Sequence, residues 1–175
     1  MTAYRNDYFV IEPCRNCPIA GYLIVSPIIP AFSLSELRRE ALDSLGPTLA
    51  AAMRAIEKVI RPERIYCALF AEETHSVHFH LFPRTQWLLS LYADSESVDH
   101  VSGPQLFDWA RRTFHSAAQT DYDQLTQAIF HELTPTHVTN CAAVGPHVCE
   151  MKLRKFPPRK RATGKDARGS YRIIR

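Results

Sequence analysis

The sequence predicts one α+β domain followed by a basic tail. Short β-branched and aromatic runs bounded by proline, stretches with apolar residues at helical spacing, and 46% hydrophobic content in 175 residues describe a chain able to bury one ordinary core. The domain is expected over residues 1–140 and the tail over residues 141–175.

In chain order, residues 7–12 (Asp-Tyr-Phe-Val-Ile-Glu) and 21–26 (Gly-Tyr-Leu-Ile-Val-Ser) read as strands closed by Pro13 and Pro27. The Cys-Arg-Asn-Cys-Pro stretch between them is a turn-like loop. Ser33-Leu-Ser-Glu36 has the form of a capping box, in which a hydroxyl and a carboxylate satisfy exposed amides, so a helix should start there. Gly46-Pro47 interrupts it, while Leu49, Met53, Ile56 and Ile60 recur at helical spacing. Two successive helices, or one kinked helix, should cover one sheet face. Residues 64–70 read as a third strand, and Ala71-Glu-Glu-Thr74 is short enough to turn a hairpin into a histidine-bearing strand. Residues 104–114 and 121–133 read as two further helices, the second with Asp121 and Gln124 as its start signal.

Charge is unevenly spread. Residues 152–175 hold ten Lys or Arg against one Asp, a local +9, which leaves −6 for residues 1–151 of a chain whose formal charge is +3. So charged and apolar-poor a segment cannot offset its ordering entropy by burial, so disorder is expected from about residue 140, and the basic tail should attract polyanions weakly and without specificity. Five cysteines, Cys14, Cys17, Cys67, Cys141 and Cys149, form an odd set in a chain large enough to be stable without staples, which argues for reduced thiols. With neither an apolar run long enough to span a membrane nor a signal-like N-terminus, the expected location is the cytoplasm.

The stretch Thr74-His-Ser-Val-His-Phe-His-Leu-Phe-Pro-Arg84 carries the chemistry. On a strand, side chains alternate between faces, so Ser76, His78 and His80 share a polar face while Val77, Phe79 and Leu81 share a core face. Two imidazoles two residues apart stand roughly 6.6 to 7 Å apart along a strand, a spacing at which both can touch one phosphate. A neutral imidazole is a good nucleophile near pH 7, and phosphoryl oxygens need hydrogen-bonding or positive partners. His78 could attack while His80 donates to a phosphate oxygen. The other reading of His-x-His is a half-exposed polar face or a fortuitous metal pair.

Ser76-Val-His-Phe-His-Leu-Phe-Pro-Arg84 resembles the signature of the histidine triad (HIT) superfamily, His-φ-His-φ-His-φ-φ (φ apolar) often followed by Pro-Arg. Gly21-Tyr-Leu-Ile-Val-Ser-Pro27 is similar to that family's Gly-His-x-Leu-Val-x-Pro strand, and the order of segments over roughly residues 8–85 matches as well. The resemblance implies a bacterial-type HIT-like fold, a five-stranded antiparallel sheet with helices packed on it, in a homodimer. It also implies hydrolysis or nucleotidyl transfer at an α-phosphate of a dinucleoside polyphosphate or nucleotide conjugate, with no cofactor and no metal. By position, His78 matches the nucleophile that forms a nucleotidyl-histidine intermediate, and His80 matches the histidine that contacts the phosphate. Three departures stand out: Ser76 occupies the first histidine's place, Ala71-Glu-Glu-Thr-His75 lacks the family's Gly-Gln-Ser/Thr phosphate loop, and Asn16 is only a nearby candidate for the ribose-binding Asn. Arg84 and His75 complete the candidate substrate-binding set, although His75 falls on the opposite face if the strand has begun by then.

Cys14 and Cys17 have zinc-ligand spacing, but Ser76 stands where a zinc-binding histidine is needed. They supply half of a four-ligand site, so zinc is expected to be substoichiometric. Trp87, Phe107 and Trp109 are expected to serve packing rather than base stacking. Two rival functions remain open. His100-Val-Ser and His137-Val-Thr resemble the paired elements of two-histidine phosphoesterases, and a degraded triad with a basic tail suits a non-catalytic nucleotide- or RNA-binding protein.

Overall fold

The computed structural model describes residues 3–70, 75–96, 101–116 and 119–134. Strands β1 (Tyr4–Arg5), β2 (Phe9–Pro13), β3 (Leu23–Pro27), β4 (Arg64–Ala68) and β5 (Phe79–Arg84) form a five-stranded sheet in the order β1-β2-β3-β5-β4. Every pairing is antiparallel, as expected. The helices are α1 (Arg39–Ile60), α2 (Gln86–Glu96), α3 (Gly103–Thr113) and α4 (Tyr122–Leu133), with a 3-10 turn at Leu34–Glu36. The Ala71–Thr74 hairpin, the segment 141–175, His100 and His137 lie outside the described residues.

Period-two alternation divides the sheet into two apolar faces. Phe9, Ile11, Leu23, Val25, Phe79 and Leu81 pack beneath Ala52, Ala55 and Ile56 of α1 and Ile129, Phe130 and Leu133 of α4. Small residues at 52 and 55 let α1 lie close to the sheet, and full burial of a side chain such as Ile56 or Leu81 stabilises by about 1.5–3 kcal/mol. On the opposite face, Tyr22 and Phe82 pack against Leu88 and Tyr92 of α2 and Leu106 and Trp109 of α3.

The segment around Gly46-Pro47 differs from expectation. It forms neither two helices nor a break, because α1 runs unbroken for 22 residues with Pro47 inside. Pro47 is exposed, so the carbonyl of Asp43, which loses its i+4 donor, faces water that can replace the bond. The Ser33 hydroxyl does not cap a helix. It bonds the Ser35 hydroxyl at 2.6 Å, while Glu36 accepts from the Phe32 amide at 2.8 Å. That local network closes the 3-10 turn, and α1 begins beyond it. Helix α2 was not expected: Thr85 accepts from the Leu88 amide at 3.2 Å, and Leu88 and Tyr92 are buried one turn apart. A threonine cap and an i,i+4 apolar pair are the signals that could have revealed it.

Two glycines have opposite meanings. Gly46 is helical and exposed, and a Cβ there would meet nothing within 4 Å. Gly46→Ala should therefore raise the unfolding free energy by about 0.5–1 kcal/mol through lower chain entropy in the unfolded state. Urea denaturation should show a higher midpoint at unchanged slope, and a lower midpoint would contradict this account. Gly21 has φ +84°, and a Cβ there would lie 2.9 Å from Cγ1 of Ile60. Only glycine suits both conditions, and it turns the chain beneath the end of α1 into Tyr22 and β3.

Candidate active site

The ladder of β5 begins at Phe79, with His80 opposite Ile24 of β3. Ser76 and Val77 precede it, tied to the neighbouring loop by the Val77 amide donating to the Ala31 carbonyl at 2.8 Å and the Ala31 amide donating to the Ser76 hydroxyl at 3.4 Å. His78 thus stands just ahead of the regular strand. Its ring centroid lies 4.8 Å from that of His80, closer than the repeat along a strand, and Ser76, His78 and His80 line one cleft of about 760 Å³.

Each histidine has its Nδ1 in a hydrogen bond. His78 Nδ1 lies 3.0 Å from the Ser76 carbonyl oxygen. A carbonyl can only accept, so Nδ1 carries the proton and the neutral ring has its lone pair on Nε2. His80 is 5% exposed, and its Nδ1 lies 2.8 Å from the Tyr22 hydroxyl. Burial, above all, raises the pKa of that phenol, with the Cys14 thiol adding to the effect. Burial likewise pulls His80 down to about 4, helped by the electrostatic effects of His78 and Arg111, so His80 is neutral at pH 7.

This depression links stability to pH. Between 6.5, the ordinary histidine value, and about 4, the unfolded chain binds the proton that folded His80 refuses. The contribution is complete above 6.5 and drains away as pH falls, amounting to roughly 3 kcal/mol by pH 4. Denaturation of the wild type and His80→Gln between pH 7 and pH 4 should show the wild type losing more stability by about that amount. Parallel losses would refute it.

Two aromatic rings flank His80. Phe107 of α3 lies 5.8 Å away at 83° and Phe70, beyond β4, at 6.0 Å. Both line the cleft. Arg111, one turn after Phe107, also lines it, with its guanidinium 5.8 Å from the Phe107 centroid in cation–π range. From the loop after β2 come Arg15, 3.3 Å from Glu12, and Asn16. Asp108 on the α3 wall is engaged by Arg112 at 3.0 Å.

Solved structures of histidine triad proteins superpose on the chain. One, from Bradyrhizobium japonicum, has 13% identity and a TM-score of 0.55, with 74% of this chain and 87% of that one covered. Another, a hypothetical histidine triad nucleotide-binding protein from Sulfolobus tokodaii strain7, has 11% identity and a TM-score of 0.51 over 76% of this chain and 85% of that one. The chain has the HIT fold. No protein-family model and no curated protein matches the sequence.

Within this HIT fold the expected residues separate. Ser76, His78, His80 and Asn16 meet in the cleft, whereas Arg84 and His75 do not line it. Arg84 lies four residues beyond His80, roughly 13 Å along the strand. There it donates to Glu63 at 3.3 Å, the Tyr66 hydroxyl at 3.1 Å and the Val101 carbonyl at 3.2 Å, joining β4, β5 and the approach to α3. His75 is exposed. Trp87 and Trp109 pack against Phe114, as expected, but Phe107 faces the cleft. The thiols of Cys14 and Cys17 are buried and raised in pKa by that burial, Cys17 to about 12. Cys17 donates to the Ala110 carbonyl at 3.5 Å. Among the described residues no three His, Cys, Asp or Glu side chains are grouped as a metal site.

Tyr22, Phe70 and Arg111 carry no site signal in the sequence, and Phe107, expected to serve packing, lines the cleft instead. Tyr22 was visible only as the residue in the histidine place of a Gly-His strand. Arg111 had no signal beyond its one-turn spacing from Phe107.

Proposed function

We propose that the cleft binds a nucleotide and that the protein is a HIT-type hydrolase or nucleotidyl transferase acting at an α-phosphate, through a covalent intermediate on His78. The observation that carries this reading is a pair of imidazoles 4.8 Å apart in one cleft, each with its Nδ1 held by a hydrogen-bonding partner. His78 presents a lone pair on Nε2, and His80 an N–H at the same position. One is suited to attack phosphorus, the other to hold a phosphoryl oxygen.

The Nε2 lone pair of His78 forms a bond to the α-phosphorus as the P–O bond to the leaving group breaks. The electron pair of that bond leaves with the departing phosphate or polyphosphate, which takes any proton from solvent. The Ser76 carbonyl continues to accept from Nδ1 and so favours the positive charge that develops on the ring. His80 Nε2–H donates to a non-bridging oxygen, and Arg111 adds positive potential on the same side. Water then attacks phosphorus, the P–N bond breaks, its electrons return to His78, and the proton of water passes to solvent. The product is a nucleoside monophosphate. Phe70 and Phe107 offer an apolar wall for a base, and Asn16 a polar group for the sugar. A homodimer in the cytoplasm belongs to the same reading.

The test is incubation of the full chain with dinucleoside polyphosphates and nucleotide conjugates, followed by mass spectrometry of both products and intact protein. Monophosphate release together with an adduct of one nucleotidyl group is expected. Saturable, salt-sensitive binding with neither product nor adduct would instead support a non-catalytic binding protein.

A further inference from the structure

We infer that Tyr22 is a positioning residue for His80, its hydroxyl fixing which imidazole nitrogen offers a proton to the substrate phosphate. The inference rests on the proposed reaction for its purpose but on the geometry of Tyr22 for its substance. Tyr22 is fully buried, its ring edge-on to Phe82 at 5.2 Å and to Phe107 at 5.9 Å. Gly21, with its positive φ, aims it there. Its hydroxyl lies 2.8 Å from His80 Nδ1, and the Cys14 thiol is close enough to act on it electrostatically.

A phenol has one proton to give, so two arrangements compete. It donates to His80 Nδ1, or it accepts from His80 Nδ1–H and turns its own proton elsewhere, with the Cys14 sulfur the neighbouring acceptor on offer. An imidazole nitrogen is a far better acceptor than sulfur, and S–H is a serviceable weak donor. The first arrangement therefore gives the buried phenol proton a strong acceptor, and the second leaves that proton at best a poor one. The second would also turn the Nε2 lone pair of His80 toward the cleft, beside that of His78, where both would repel an anionic phosphate. The ionisable groups acting on His80 agree. His78 ahead of β5 and Arg111 of α3 both lower the pKa of His80, and burial lowers it more, so what acts on the ring disfavours an imidazolium. His80 then acts as a neutral donor and Tyr22 keeps it so.

The experiment is long-range nitrogen–proton NMR on the nitrogen-15-labelled full chain, wild type and Tyr22→Phe, at pH 7. In the wild type, His80 should show an unprotonated Nδ1 and a protonated Nε2. In Tyr22→Phe, which keeps the ring packing, a clear fraction of the Nδ1–H form should appear. Single-turnover P–N bond formation should slow about 10- to 100-fold with KM changed far less, as for loss of one positioned hydrogen bond. A wild-type His80 protonated on Nδ1 overturns the inference, and so does an unchanged tautomer in folded Tyr22→Phe. The wild-type spectrum decides even if the variant does not fold. Absence of turnover in the wild type would count against the proposed reaction while leaving the tautomer result to judge Tyr22.

Discussion

Replacing His78 with alanine is expected to abolish turnover and the protein–nucleotide adduct together. His80 has its Nδ1 engaged by Tyr22, and with the tautomer inferred above its Nε2 carries the proton, so it does not take over the attack. Ser76 is held by the Ala31 amide at 3.4 Å, and a hydroxyl is a poor nucleophile without a neighbouring base. Turnover should fall by more than the roughly 10² to 10⁴ associated with losing a positioned proton-transfer group, because the bond-forming atom itself is gone. The fold should survive: the partly buried His78 ring sits on the cleft side, its Nδ1 on the Ser76 carbonyl, while Val77, Phe79 and Leu81 form the core on the other face. Single-turnover quenching with labelled nucleotide, intact-protein mass and circular dichroism give the three readouts. An unchanged adduct in folded His78→Ala would remove His78 from the nucleophile's role and most of the mechanism with it.

His80→Ala should give a different pattern, with slow turnover and a surviving adduct. The variant loses a hydrogen-bond donor to the phosphoryl oxygen while the His78 lone pair remains. If that donor resembles an oxyanion-hole contact, its loss costs about 2.7–4 kcal/mol of transition-state stabilisation, or roughly 10²- to 10³-fold in rate. His80 is also buried between Tyr22 and Phe107, so truncation opens a small cavity and leaves the Tyr22 hydroxyl without its acceptor. A loss of folding stability of about 1–3 kcal/mol should accompany the rate effect. Rates should be compared at temperatures where both proteins are folded. Equal rates for wild type and His80→Ala would show that the phosphate is held by other groups, with Arg111 the first to examine.

How much of this could be read along the chain depends on what each feature requires. Which face of the histidine strand is core follows from consecutive residues alone, since pleating alternates Val77, Phe79 and Leu81 against Ser76, His78 and His80. The Gly21 and His78 motifs likewise pointed to the HIT fold, because each is a local backbone demand or a fixed spacing. Local rules failed where tertiary packing outweighed them. Pro47 is tolerated within α1 because its carbonyl partner faces solvent, and α2 is held by burial of Leu88 and Tyr92 despite a weak pattern.

The site's electrostatics were decided only in three dimensions. Tyr22 and His80 are 58 residues apart, and no spacing rule connects them. Arg84, adjacent to the motif, is drawn away by Glu63 and Tyr66, while Arg111, remote from it, reaches the cleft because α3 packs on that sheet face. The sequence by itself determined the chemistry on offer, two imidazoles on one polar face. Tertiary structure determined their protonation, because a proton's position depends on the nearest donor, the nearest charge and the loss of water, all of which are properties of neighbours in space.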